Sequence, residues 1–266
     1  HEDVASIHDI VRFKQPDLDQ KIAYDQWPRK SLVDHFLQPG LSFAEFHSGD
    51  GIIGDFATST YEASVRRGDA EIVLEQRGRG NVGGADVSVR KSVTVSRTHP
   101  NDIRIQYQLQ GLPTAVPLHF ASEFNFATMP GGASDRYFYD TTGTQLGTLE
   151  VPQQLVESDR IGLVDEWQGL DVSLELSQPA GIWTFPIETI SQSESGFELV
   201  HQSVAVVPHW EFVAADDGRW TVEICLALDT SLARARQLAE IGEQRKDWDA
   251  EQAPRNDAPA QIPSVT

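Results

Sequence analysis

The chain has 266 residues, 39% of them hydrophobic, and 40 acidic against 21 basic residues give it a formal charge of −19. That length supports one large β domain or two smaller ones, and no apolar run reaches the eighteen or so residues a membrane span needs. The negative field repels phosphate backbones and anionic lipid, so neither nucleic acid nor membrane is expected as a partner, while a neutral ligand is barely affected.

Cys225 is the only cysteine, which excludes an intrachain disulfide and a thiolate metal cluster and fits a cytoplasmic location. Within "TVEICLALD" it reads as a small buried hydrophobe. The opening His1-Glu2-Asp3 has no initiator Met and no apolar leader, and reads as a processed chain or a piece of a longer one.

Residues 1–39 are the least regular. "VASIHDIVRFKQPD" can begin a short helix or strand, and Pro16, Pro28 and Pro39 interrupt anything longer. From Leu41 the runs "LSFAEFH", "TYEASVRR", "AEIVLEQRG", "VSVRKSVTVSR" and "DIRIQYQLQG" alternate apolar and polar residues as strands do. "RGRGNVGGAD" lacks the Lys-Ser/Thr ending of a phosphate loop and reads as a long hairpin loop.

"LDVSLELS", "GIWTFPIETI", "ELVHQSVAVVPHWEFVA" and "RWTVEICLALD" read as further long strands, with "SESG" marking a turn and Asp217-Gly218 a hairpin. Many antiparallel strands without intervening helices predict a large all-β sandwich over 1–228. After Asp229, "SLARARQLAEIGEQRK" predicts a helix capped at Ser231, with Leu232, Ala235, Leu238 and Ile241 on one stripe. The polar, Pro-rich end predicts a flexible tail, so helix and tail occupy 229–266.

No Gly-x-Ser-x-Gly elbow and no His-Glu-x-x-His helix occurs, and the eight histidines show no metal spacing. Neither a metal nor a cofactor is expected. The sharpest polar set is in "HFASEFNFA". As a strand it sends Phe120, Phe124 and Phe126 to the core and His119, Glu123 and Asn125 to the other face. Glu123 and Asn125 then stand about 7 Å apart, either on a solvated surface or on the floor of a site. A His/Glu couple suits acid–base opening of a sugar ring, but His119 and Glu123 are about 13 Å apart along the strand. Glu123 would need a partner from another strand. Trp183 offers a face for sugar stacking, whereas Trp210 reads as structural.

"HEDVASIHDIVRFK", "YDQWPRKSLVDHF", "ASEFNF" and "GIWTFPIETISQSESGFELVHQSVAVVPHW" resemble, in that order, the C-terminal region of family 57 glycoside hydrolases, the 4-α-glucanotransferases and α-amylases. The resemblance runs from residue 1 to about Leu228. It implies a galactose mutarotase-like β-sandwich without the catalytic carboxylates, which those enzymes carry in an N-terminal barrel. It also implies two partners, that barrel and an α-glucan or maltooligosaccharide. Glu123, Asn125, Glu188 and Gln202 fall on motif positions and become, with Trp183, the expected substrate contacts on a polar concave surface. No catalytic residue is expected. The alternative is a sugar epimerase acting through Glu123 and a histidine.

Overall fold

The alternation read in "HFASEFNFA" forms the strand around which the molecule is organised. The computed structural model describes residues 18, 25–127, 129, 131–193 and 196–238, the side chain of Ser193 excepted. In chain order these form β1 (Val33–Leu37), α1 (Phe43–Ser48), β2 (Ile52–Ile53), β3 (Glu62–Arg67), β4 (Glu71–Val82), β5 (Ala85–Ser96), β6 (Asp102–Gln110) and β7 (Pro117–Ala127). There follow β8 (Arg136–Tyr139), β9 (Gln145–Thr148), β10 (Gln153–Asp165), β11 (Leu170–Ser193), β12 (Gly196–Val213) and β13 (Arg219–Asp229).

All thirteen strands belong to one antiparallel sheet whose main path runs β2-β1-β7-β12-β11-β13-β6-β5-β4-β3. The sheet curls back on itself. Tyr107 of β6 packs edge-on to Phe120 of β7, 5.4 Å between ring centroids, although three strands separate them in sheet order. The 24-residue β11 makes the crossing, since Asp171–Leu176 pair with β13 and Gly181–Ser193 with β12. Between the two layers lies a continuous core holding Phe36, Phe120 and Phe124 from one side and Val89, Ile105 and Leu109 from the other. A large antiparallel sandwich is therefore the observed fold, and β7 faces its core as expected, with Phe126 partly buried against it.

Several expectations need correction. Residues 33–37, ahead of Leu41, are regular, because "VDHFL" forms β1 and pairs with β7, while the reading of "VASIHDIVRFKQPD" lies outside the described residues. Every residue of β1 is buried, so the strand lacks the alternation by which half-buried strands are recognised. "LSFAEFH" is helix α1 rather than a strand. Ser42 and Glu45 form a reciprocal capping box, and Gly49 closes the other end at φ 83°. "RGRGNVGGAD" is not a long loop: β4 and β5 run almost to their tips and join through Gly83-Gly84, both at positive φ.

Asp217-Gly218 makes a turn, with Gly218 at φ 67°, but β12 and β13 flank β11 instead of pairing with each other. Residues 231–238 are helical. Their start is capped before Ser231, where Asp229 Oδ1 accepts the Ser231 N–H at 2.7 Å. The expected apolar stripe is not buried among the described residues, with Leu232 47% and Leu238 69% exposed. Ala233 instead closes over Gly169. Ile241 and the tail lie outside the described residues.

Candidate functional site

β7 is buried on both faces. Its outer face is closed by the segment at 25–31 and by α1, which build a second apolar cluster from Trp27, Phe46, Trp183, Phe185 and Val207. Glu123 lies beneath this cover, fully buried. Its Oε2 accepts from Trp27 Nε1 at 2.8 Å and lies 3.0 Å from His35 Nε2. Its Oε1 accepts from Arg29 Nη1 at 3.0 Å and from Asn125 Nδ2 at 2.7 Å. A buried carboxylate is tolerated only when paired and hydrogen-bonded in this way. Burial pushes Glu123 up, but His35, Arg29 and Asn125 outweigh it and hold the carboxyl at about 2.

Asn125 continues the clasp. Its Nδ2 also donates to the Lys30 carbonyl at 2.9 Å, and its backbone exchanges bonds with the Ser31 hydroxyl. Arg29 donates from Nε to Asp25 Oδ1 at 2.7 Å and lies over the Trp27 and Phe185 rings. The polar pair in "ASEFNF" is thus neither a solvated surface nor an open concave floor. It is the anchor that holds residues 25–31 against the sheet. The partner Glu123 required from another strand is His35, not His119.

His119 belongs to a separate group. Its Nε2 is 2.9 Å from His209 Nδ1, and its Nδ1 is 3.3 Å from the Gln38 carbonyl. Burial, and secondarily His119, holds His209 down to about 3, and burial lowers His119 too. Trp183 stacks on His209 at 3.9 Å and packs against Phe46 at 5.2 Å. Only 5% of it is exposed, so its ring is core, not a platform for sugar. Trp210 is core as expected, with its indole N–H donated to the Gln178 carbonyl. Cys225 is half-buried on the other layer, with its thiol pushed up chiefly by burial.

Beside the clasp a cleft of about 490 Å³ opens between residues 25–29, the end of α1, and Phe185–Thr189 of β11. Trp27, Phe185 and Ile187 give it an apolar wall, and Asp25, Arg29, His47 and Glu188 a polar rim. Burial and the nearby Arg29 lower His47, so its ring is neutral at neutral pH and can both donate and accept. Such a wall and rim suit a ring with one apolar face and hydroxyl edges. Of the expected contacts, Glu188 lines this cleft directly. Gln202 is next to it, its amide on Thr189 Oγ1 at 3.1 Å. Glu123, Asn125 and Trp183 do not line it. Trp27, Arg29 and His35 were not singled out as functional, although "YDQWPRKSLVDHF" carries all three. Among the described residues no cluster of His, Cys, Asp and Glu could hold a metal, and no helix is long and apolar enough to cross a membrane.

Fold and clasp define a β-sandwich domain in which the buried Glu123 carboxylate ties residues 25–31 to the sheet. Residues 1–224 match the family described as "Alpha-amylase/4-alpha-glucanotransferase, C-terminal", and the chain belongs to that family. It is 29% identical over 205 residues to a 4-alpha-glucanotransferase of Thermococcus kodakarensis, covering 77% of this chain and 27% of the relative. It is 31% identical over 187 residues to an alpha-amylase of Pyrococcus horikoshii, covering 70% and 25%. The crystal structure of 4-alpha-glucanotransferase from Thermococcus litoralis superposes on 80% of the chain at a TM-score of 0.62 and 20% identity, using 29% of that protein. The chain thus spans only about a quarter of the length of the curated relatives it matches.

Proposed function

We propose that this chain is the non-catalytic C-terminal domain of a cytoplasmic α-1,4-glucan-processing enzyme, supporting an N-terminal catalytic barrel and contacting the glucan. The observation that carries this reading is the clasp. Two of the four donors on Glu123, Trp27 and Arg29, belong to residues 25–31 and fix that segment across the sheet. The same segment forms one wall of the cleft that Glu188 lines, which brings glucan contact and domain support to one place. The epimerase alternative needs Glu123 to reach a sugar, and its complete burial counts against that.

Glucan contact is tested by calorimetric titration of the purified chain with maltoheptaose. Glu188→Ala should weaken binding about tenfold, the cost of losing one charge-assisted hydrogen bond. No binding at millimolar sugar leaves barrel support alone standing. Incubation of the chain with maltooligosaccharides should give no change in product lengths, because retaining transfer needs two carboxyl groups about 5 Å apart at the scissile bond. Robust disproportionation would overturn the non-catalytic assignment.

A further inference from the structure

The outer face of the opposite layer carries a charge arrangement that neither the clasp nor the glucan reading uses. β4 sends Arg77 and Arg79 outward, β5 sends Ser88 and Arg90, and β6 adds Gln110. The register sets Arg77 opposite Arg90, Arg79 opposite Ser88, and Ser88 opposite Gln110. These side chains line a cleft of about 230 Å³ with no carboxylate in its lining. Like charges directly opposite on neighbouring strands repel, and Glu75 relieves part of this by bonding both Arg77 and Arg90. One carboxylate against three guanidiniums leaves an excess of two positive charges. Asp86 and Glu62 stand on the same face, but Asp86 takes its side-chain bond from Asn81 and Glu62 makes no ion pair with Arg77 among the described residues. The Arg79 side chain has no ion pair or hydrogen bond among the described residues, and Arg90 Nε is buried without a partner. The grouping runs against the bias of a chain with charge −19.

We infer that this cleft is an oxyanion site for a phosphoryl group, either free inorganic phosphate or a phosphate ester on a sugar. A phosphoryl group brings three acceptor oxygens and about −1.5 to −2 charge, which matches the unneutralised guanidiniums. The fork geometry of arginine pairs with it bidentately, and Ser88 and Gln110 supply further donors. A planar carboxylate has too few oxygens and too little charge to satisfy the same set. The site stands independently of glucan binding at the other face.

The test is 31P line broadening and calorimetry of the full chain at about 0.15 M salt, near physiological ionic strength, with inorganic phosphate and with a phosphate monoester of glucose. Phosphate should bind saturably, and Arg79→Ala, which removes no bond made within the protein, should weaken it at least about tenfold with an unchanged melting temperature. Glu75→Gln removes the competing carboxylate and should tighten binding severalfold. Equal affinity for both probes identifies the free anion as ligand, and tighter binding of the ester identifies a sugar-borne phosphoryl group. Absence of saturable binding in the wild-type chain, or equal binding by wild type and Arg79→Ala, overturns the site.

Discussion

Trp27 and Glu123 are joined across 96 positions of the chain by a 2.8 Å bond from indole Nε1 to Oε2. The bond ties the segment leading into the sandwich to β7, a strand buried on both faces. It shares its acceptor oxygen with His35, which stands on β1, the strand next to β7.

Removing that charge should be costly. Glu123→Gln keeps the volume but removes the buried charge that Arg29 and His35 bond, leaving Arg29, 20% exposed, with Asp25 alone. Breaking a buried pair from one side typically destabilises by about 3–5 kcal/mol. Urea denaturation should show a loss in that range, with protease susceptibility rising first at residues 25–31. A change below about 1 kcal/mol would mean that the carboxylate is effectively solvated.

Acid should act in two stages. Glu123 is held at about 2 in the fold, below the usual value near 4.3 of an unfolded chain. Its stabilisation is complete above about 4.3 and is lost as pH falls toward 2. His209 is held at about 3, below its ordinary 6.5, so the unfolded chain takes up that proton first. Stability should therefore decline as pH drops from about 6.5 to about 3, and the lowered His119 acts in the same direction. Unfolding free energies measured at successive pH values should be flatter between 6.5 and 4.5 in His209→Gln than in wild type. Glu123→Gln should flatten the region below 4.5. A wild-type curve level from pH 6.5 to 4.5 would refute the neutral histidine pair.

The parts legible in the sequence are those where one face of a strand is polar. "DIRIQYQLQ" and "HFASEFNFA" alternate, and each lies as its pattern directs. β1 was hidden because Asp34 and His35 are polar yet buried, so hydropathy says loop where pairing says strand. The α1 helix could have been found from Ser42-x-x-Glu45 followed by Gly49, but the alternation of "LSFAEFH" imitates a strand at this short length. Glu188, expected from its motif position, lines the candidate cleft, whereas the burial of Glu123 depends on where residues 25–31 cross the sheet. No local pattern carries that. Lys91 is a different case. It falls on the inward parity of "VSVRKSVTV", with Val87, Val89 and Val93, and a lysine on that parity marks a buried partner.

That partner is Asp34, and the pair yields the last prediction. Lys91 Nζ lies 3.1 Å from Asp34 Oδ2, and both side chains are almost wholly buried. Asp34 also accepts from the Tyr61 and Tyr107 hydroxyls, and Tyr107 bonds Ser122 on β7. Lys91 donates in addition to the carbonyl of Leu32, which sits at φ 64°, a left-handed conformation a leucine rarely adopts. The network therefore holds a strained residue at the step from the clasped segment into β1. Lys91→Met should cost about 3–5 kcal/mol, because it leaves Asp34 charged and buried without its cation. Adding Asp34→Asn removes the orphaned charge, so the double variant should regain about half or more of that loss, and the two single losses together should exceed the double variant's by more than about 2 kcal/mol. The four urea curves of the double-mutant cycle measure it directly. Strictly additive losses would mean that the two side chains act independently and that Leu32 is held by backbone pairing alone.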